Sequence, residues 1–200
     1  NNIERSASLF LVKNIFSLLL TLISLISTSL YPLKPVQLSL ASTLMIGIPS
    51  FILALEPNEE LVRGRFLRNV LLRAAPAGLT AVIVVEWSLL FADAFAIPAG
   101  QASTVAFYLF TAAAYLMLLR VCRPMTPLHG VLFGLMGAAF VATVCIAPGF
   151  FHIERLSYGC VLVLSALLLL AVPVERVLFL AFERISARFA RHFGKNRGAE

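Results

Sequence analysis

Six long runs of apolar residues divide this chain, at about residues 8–30, 36–55, 70–95, 104–121, 128–147 and 157–182. Each is long enough, as a helix, to cross the hydrocarbon layer of a membrane. Short turns bearing Pro or Gly separate most of them: Tyr31 to Pro35, Ala96 to Ser103, the Pro124 and Pro127 turn, and Pro148-Gly149. The polar residues inside the runs are placed by period. In the first run Asn14, Ser17, Thr21, Ser24 and Thr28 follow one another at steps of 3, 4, 3 and 4 residues, which puts them in one stripe of a helix. The second run carries Ser39, Ser42, Thr43, Gly47, Pro49 and Ser50. Pro49 has no N–H and crowds the carbonyl of Met45, so an interruption is expected there. The third run starts with Pro76 and Gly78 and holds Glu86 near its middle. The fifth has Gly130, Gly134, Gly137 and Ala138 at helix-packing intervals. The sixth is expected to kink at Pro173. Residues 183–200 read as an amphipathic helix lying on an anionic leaflet, with Arg184, Arg188 and Arg191 on one side.

Composition agrees with that pattern. The 200 residues are 60% hydrophobic and 13% charged, with mean hydropathy +0.93, well outside the range of soluble domains. The predicted fold is an all-α polytopic membrane protein, a single six-transmembrane-helix bundle. The formal charge of +6 arises from arginines beside the spans, which face lipid headgroups; nothing points to nucleic acid. Arg5, Arg63, Arg65, Arg68, Arg73, Arg120, Arg123 and the tail cluster on one side, against Lys34 and Arg155 on the other. Both termini are therefore expected to be cytoplasmic. No cleavable signal peptide is visible, and the start at Asn1 without Met reads as a fragment or a processed piece. Cys122, Cys145 and Cys160 read as small buried residues, not a disulfide or zinc set.

Candidate chemistry rests on the polar groups within the runs. A stripe of hydroxyls and amides in lipid faces other helices or a cavity. Two readings stand: interhelical packing, or one wall of an ion path. The broken second helix likewise reads as a packed proline kink or as a mid-membrane ion site. Lys13 snorkels toward the membrane edge. Glu86 is an ion ligand, a group reaching outer water, or a carboxyl packed on a neighbouring helix. His129 reads as an interfacial side chain, and His152-x-Glu154 is a weak metal signal. The loop with Glu59, Glu60, Arg63, Arg65 and Arg68 either docks a soluble domain or is simply solvated.

One ordered series of residues resembles a known family. Asn1-Asn2-Ile3 leading into the membrane, Asn14 with Ser17, Pro35-Val36-Gln37-Leu38, Gly47-x-Pro49 and Pro57 look like the C-terminal membrane half of P-type cation-transporting ATPases, from the fifth family helix onward. GIPSFILALEPN looks most like the bacterial calcium-uptake or divalent-cation branch. The resemblance implies a pump in the bacterial plasma membrane whose cytoplasmic phosphorylation domain, outside this chain, hydrolyses Mg-ATP. It implies no catalytic residue and no bound cofactor in this segment. Its partners are then the transported cation, the lipid bilayer and the remaining membrane helices of the parent chain. By position Asn14, Ser17 and Ser42 become candidate ion ligands, with Met45 and Ile46 at ligand positions; Thr21, Ser39, Thr43 and Glu86 are weaker candidates. The pattern is broken near Ser17 and Ile46, where well-known pumps carry acids, so a two-ion site is not expected. The alternative is a free-standing six-span secondary transporter or membrane scaffold. The pump reading expects the polar sides of the first two spans to face one another across a watery pocket.

Overall fold

A backbone inside an apolar layer must satisfy its own N–H and C=O groups, and the helix does so within one segment. The computed structural model describes residues 2–27, 31–56 and 66–195, and among these it contains helices and turns without a strand. The order is α1 (Asn2–Ser27), α2 (Pro35–Ser42), a π-helical turn (Thr43–Gly47), α3 (Ile48–Leu55), α4 (Phe66–Ala94), α5 (Ala99–Val121), α6 (Pro127–Ile146) and α7 (Tyr158–Lys195). With α2, the π turn and α3 taken as one span, six helices are long and apolar enough to cross a membrane. This is the expected all-α six-helix bundle.

Some boundaries differ from the pattern in the sequence. Helix α4 begins at Phe66, four residues ahead of the apolar run at 70–95, and carries Pro76 within it. There the Thr80 hydroxyl donates to the Pro76 carbonyl at 2.8 Å. The apolar part of the last helix, Tyr158–Ile185, is followed without a break by its polar end: α7 runs as one helix to Lys195, so the tail is continuous with the helix of the last span. Thr28 of the stripe, the loop residues Glu59, Glu60, Arg63 and Arg65, and the side chains of Arg188 and Arg191 lie outside the described residues.

Helix α4 is the hub, with its most extensive contacts to α1, α7 and α5. Its small residues Ala74, Ala77, Gly78 and Ala81 let neighbours approach. Val12, Phe16 and Leu20 of α1 are buried, and the Phe16 ring stacks on Phe110 of α5 at 4.3 Å between centroids. Helix α6 is peripheral, and the small-residue reading holds there at one position. Gly137 receives the Tyr115 hydroxyl, whereas Gly130 and Gly134 meet nothing within 4 Å. Among the cysteines Cys122 and Cys160 are buried, but Cys145 is exposed on α6.

Polar contacts knit the two ends of the bundle. At the arginine-rich end Glu56 lies 3.8 Å from Arg5 and 3.0 Å from His129 Nε2, while His129 Nδ1 is 3.1 Å from the Pro124 carbonyl. His129 is thus a buried connector between α3 and α6, not an interfacial side chain. Asn69 donates to Glu4 at 3.2 Å. At the opposite end buried Gln37 donates to the His152 carbonyl and accepts from Ser103 and the Lys34 backbone. The Glu154 carboxylate lies against Gly100 in the first turn of α5, where the helix dipole favours a negative charge. Its backbone N–H donates to Thr104 at 3.0 Å, so Glu154 belongs to a cap and diverges from exposed His152. These contacts place the start of α1 and the ends of α3 and α5 at one face of the bundle, as an up-and-down layout requires.

Candidate functional site

The second span is irregular where Gly47 and Pro49 predict it. The Ile48 N–H bonds to the Thr43 carbonyl, five residues back, so Leu44 loses its regular donor. Pro49 has no N–H for the Met45 carbonyl. The span is therefore not unwound: one wide turn loosens the ladder and rotates α3 relative to α2, and such turns recur at functional sites. Below it Ser50 faces α1, where its hydroxyl lies 3.5 Å from the Ser6 carbonyl and the Ser6 hydroxyl donates to the Ser50 carbonyl at 2.7 Å. This buried pair holds α3 against α1.

Beside the π turn runs a groove of about 460 Å³ between α1 and the second span. Lys13, Ser39, Ser42, Thr43 and Gly47 line it, with Phe10, Ile48 and Phe51 at its apolar margins. The Ser42 hydroxyl donates to the Leu38 carbonyl at 2.5 Å, leaving its lone pairs free to accept. None of the lining residues is acidic, and Lys13 adds a positive charge instead of turning wholly to the membrane edge. A divalent cation prefers several oxygens, with carboxylates among them. The groove supplies hydroxyls and loosened carbonyls but lacks that charge.

The structure gathers Ser39, Ser42 and Thr43 here and leaves other candidates apart. Asn14 and Thr21 are exposed on the outer side of α1, and Ser17 is half-buried; none of the three lines the groove. The first two spans meet in this groove around Lys13 and Ser42, while Asn14 and Thr21 of the α1 stripe turn away from the bundle. Val12, Phe16 and Leu20 occupy the inward side of α1, and their packing on α4 and α5 sets its rotation. Met45 and Ile46 are buried in the apolar core with Leu9, Val12 and Met117, apart from the groove. Glu86 is half-buried on α4, eight residues or about 12 Å from its end, and does not line the groove. Lys13 is the groove residue that the hydroxyl pattern missed; its place next to Asn14 was the available signal.

No family model matches the chain, and no solved structure matches it. Curated proteins do. The chain is 31% identical over 207 aligned residues to the probable cation-transporting ATPase exp7 of Streptococcus pneumoniae serotype 4, covering 98% of this chain and 25% of that protein. It is 35% identical over 137 residues to the calcium-transporting ATPase CtpE of Mycolicibacterium smegmatis, covering 62% of this chain and 17% of the relative. The CtpE of Mycobacterium bovis is 42% identical over 88 residues, 39% of this chain and 11% of its own length. The chain thus spans a quarter or less of the length of these relatives. With six membrane-length helices and a likeness that runs almost end to end, it belongs to the membrane half of the bacterial P-type cation-transporting ATPases.

Proposed function

We propose that this chain is the ion-translocating membrane segment of a pump that moves calcium or another divalent cation across the bacterial plasma membrane. Mg-ATP is hydrolysed in cytoplasmic domains outside the chain. The observation that carries the reading is the π turn at Thr43–Gly47 beside a groove of hydroxyls. A loosened turn offers carbonyl oxygens to a cation, and a small change in its bonding rotates α3, which couples binding to movement. The likeness to cation- and calcium-transporting ATPases supports the same reading.

The outward side of the groove fits this role. Exposed Asn14, Thr21, Ser39 and Thr43 form a polar side on the bundle surface, and such a side in lipid calls for a cover. Further membrane helices of the longer pump provide that cover and the carboxylates the groove lacks. Ser42, Asn14 and Ser17 are the first residues assigned to the ion path. Ser39, Thr43 and Thr21 lie at its edge, and Glu86 is the most remote. The arginine-rich end faces the cytoplasm.

The test is calcium-stimulated ATPase activity and calcium uptake of the full-length protein in membrane vesicles. Ser42→Ala and Asn14→Ala are expected to raise the calcium concentration for half-maximal activity by about three- to tenfold each, the loss of one hydrogen-bonding oxygen apiece. Half-maximal concentrations unchanged in both variants would remove these residues from the ion path.

A further inference from the structure

Where α5 and α7 approach the arginine-rich end, a cleft of about 540 Å³ opens between them. A second cavity of about 220 Å³ adjoins it past Arg120 and Phe179 and reaches Arg5 and Arg73. Together they gather the guanidinium groups of Arg5, Arg73, Arg120, Arg123 and Arg176 against one lining carboxylate, Glu175. Glu175 is committed to Arg120 at 3.2 Å, and Arg120 also stacks over the Phe179 ring at 4.4 Å. Arg5 shares Glu56 with His129. Among the described residues no carboxylate lies within ion-pair distance of Arg73 or Arg123. Several guanidiniums around one half-enclosed space repel each other unless an anion joins them, and their planar forks match phosphate oxygens.

The rest of the cleft says which phosphate. From Arg120 the α5 wall climbs through Leu119 to Leu116, about 6 Å deeper, and Val172 faces it from α7. Charge sits at the mouth and hydrocarbon lines the depth, the same order in which a leaflet passes from headgroup to acyl chain. Inorganic phosphate fits only the mouth. We propose that this cleft and the cavity beside it hold one anionic phospholipid, its phosphate where the two meet, among Arg73, Arg120 and Arg123, and its acyl chain along Leu116, Leu119 and Val172. The site differs from the general attraction of arginines to a leaflet, because it is a lined recess built by particular helices.

The test uses the full-length protein in nanodiscs of phosphatidylcholine with or without phosphatidylglycerol. Phosphatidylglycerol is expected to raise the thermal unfolding midpoint and to remain bound in native mass spectra. In the Arg73→Gln/Arg123→Gln variant its affinity is expected to fall by about tenfold or more, with the midpoint in pure phosphatidylcholine unchanged. Leu119→Trp, which fills the apolar wall and keeps every arginine, is expected to weaken lipid retention as well. Equal stabilisation by inorganic phosphate or soluble glycerol phosphate would overturn the lipid assignment. So would an equal loss of stability by the arginine variant in both lipid mixtures, which would make these arginines partners of the protein itself, such as the loop carrying Glu59 and Glu60.

Discussion

Gly78 shows how much one residue decides. It sits where α4 meets α1, and a Cβ built there would come within 2.8 Å of Ile15 Cγ2 and 3.0 Å of Ile15 Cβ. Nothing at that contact can yield without moving a helix. Gly78→Leu is expected to destabilise the bundle by about 1–3 kcal/mol, read as a lower denaturation midpoint in detergent. Ile15→Ala in the same chain should restore part of the loss; no effect of the leucine at all would show that α1 does not pack on α4 here. The glycine itself was visible in the sequence as a small residue near a proline, but its partner was not. Gly130 and Gly134 are as small and sit at packing intervals yet face open space, so smallness alone does not name a contact. Cys122 makes a similar point just beyond α5: burial pushes its thiol up to about 11, which keeps it protonated and slow toward thiol reagents at neutral pH.

Among the elements, the second span depends on its extra residue per turn. The π turn sets α3 so that Ser50 meets Ser6 and Leu53 is fully buried. Deleting Leu44 would convert the turn to a regular helix and rotate α3 by about 100° relative to α2. Ser50 would leave Ser6, and a buried hydroxyl and carbonyl would lose partners worth about 1 kcal/mol each. The expected outcome is a fall of at least about 4 °C in the unfolding midpoint. Gly47→Ala serves as control, since its Cβ would meet only the Ser42 carbonyl at an ordinary 3.5 Å. A deletion as stable as the parent would mean that the wide turn does not position α3. Gly47 and Pro49 announced an irregularity, but not its form. A proline in a span permits a kink, an unwound stretch or a π turn, and the one observed here is accompanied by the Ser6–Ser50 contact with α1. Pro76 and Pro173 carry the same sequence signal inside uninterrupted helices.

The whole molecule has two unlike ends, one rich in arginine and one joined by Gln37, Ser103 and the Glu154 cap. In a background without native cysteines, a cysteine at Lys34 or Tyr158 is expected to react with an impermeant maleimide on intact spheroplasts. One at Met125 should react only after lysis; the reverse pattern would invert the orientation. Six membrane-length helices were legible in the sequence, because the hydrocarbon layer constrains segment length and polarity directly. The kinship was also legible, in the order of short motifs such as Gly47-x-Pro49. The rotation of each helix about its axis was not. Asn14, Ser17 and Thr21 share a stripe by period alone, but whether it looks into the bundle depends on Phe16 and Leu20 finding Phe110 and Val84 on other helices. In lipid both sides of a span are apolar enough to hide the difference, so hydrophobic pattern fixes where a helix crosses and only interhelical packing fixes which way it faces.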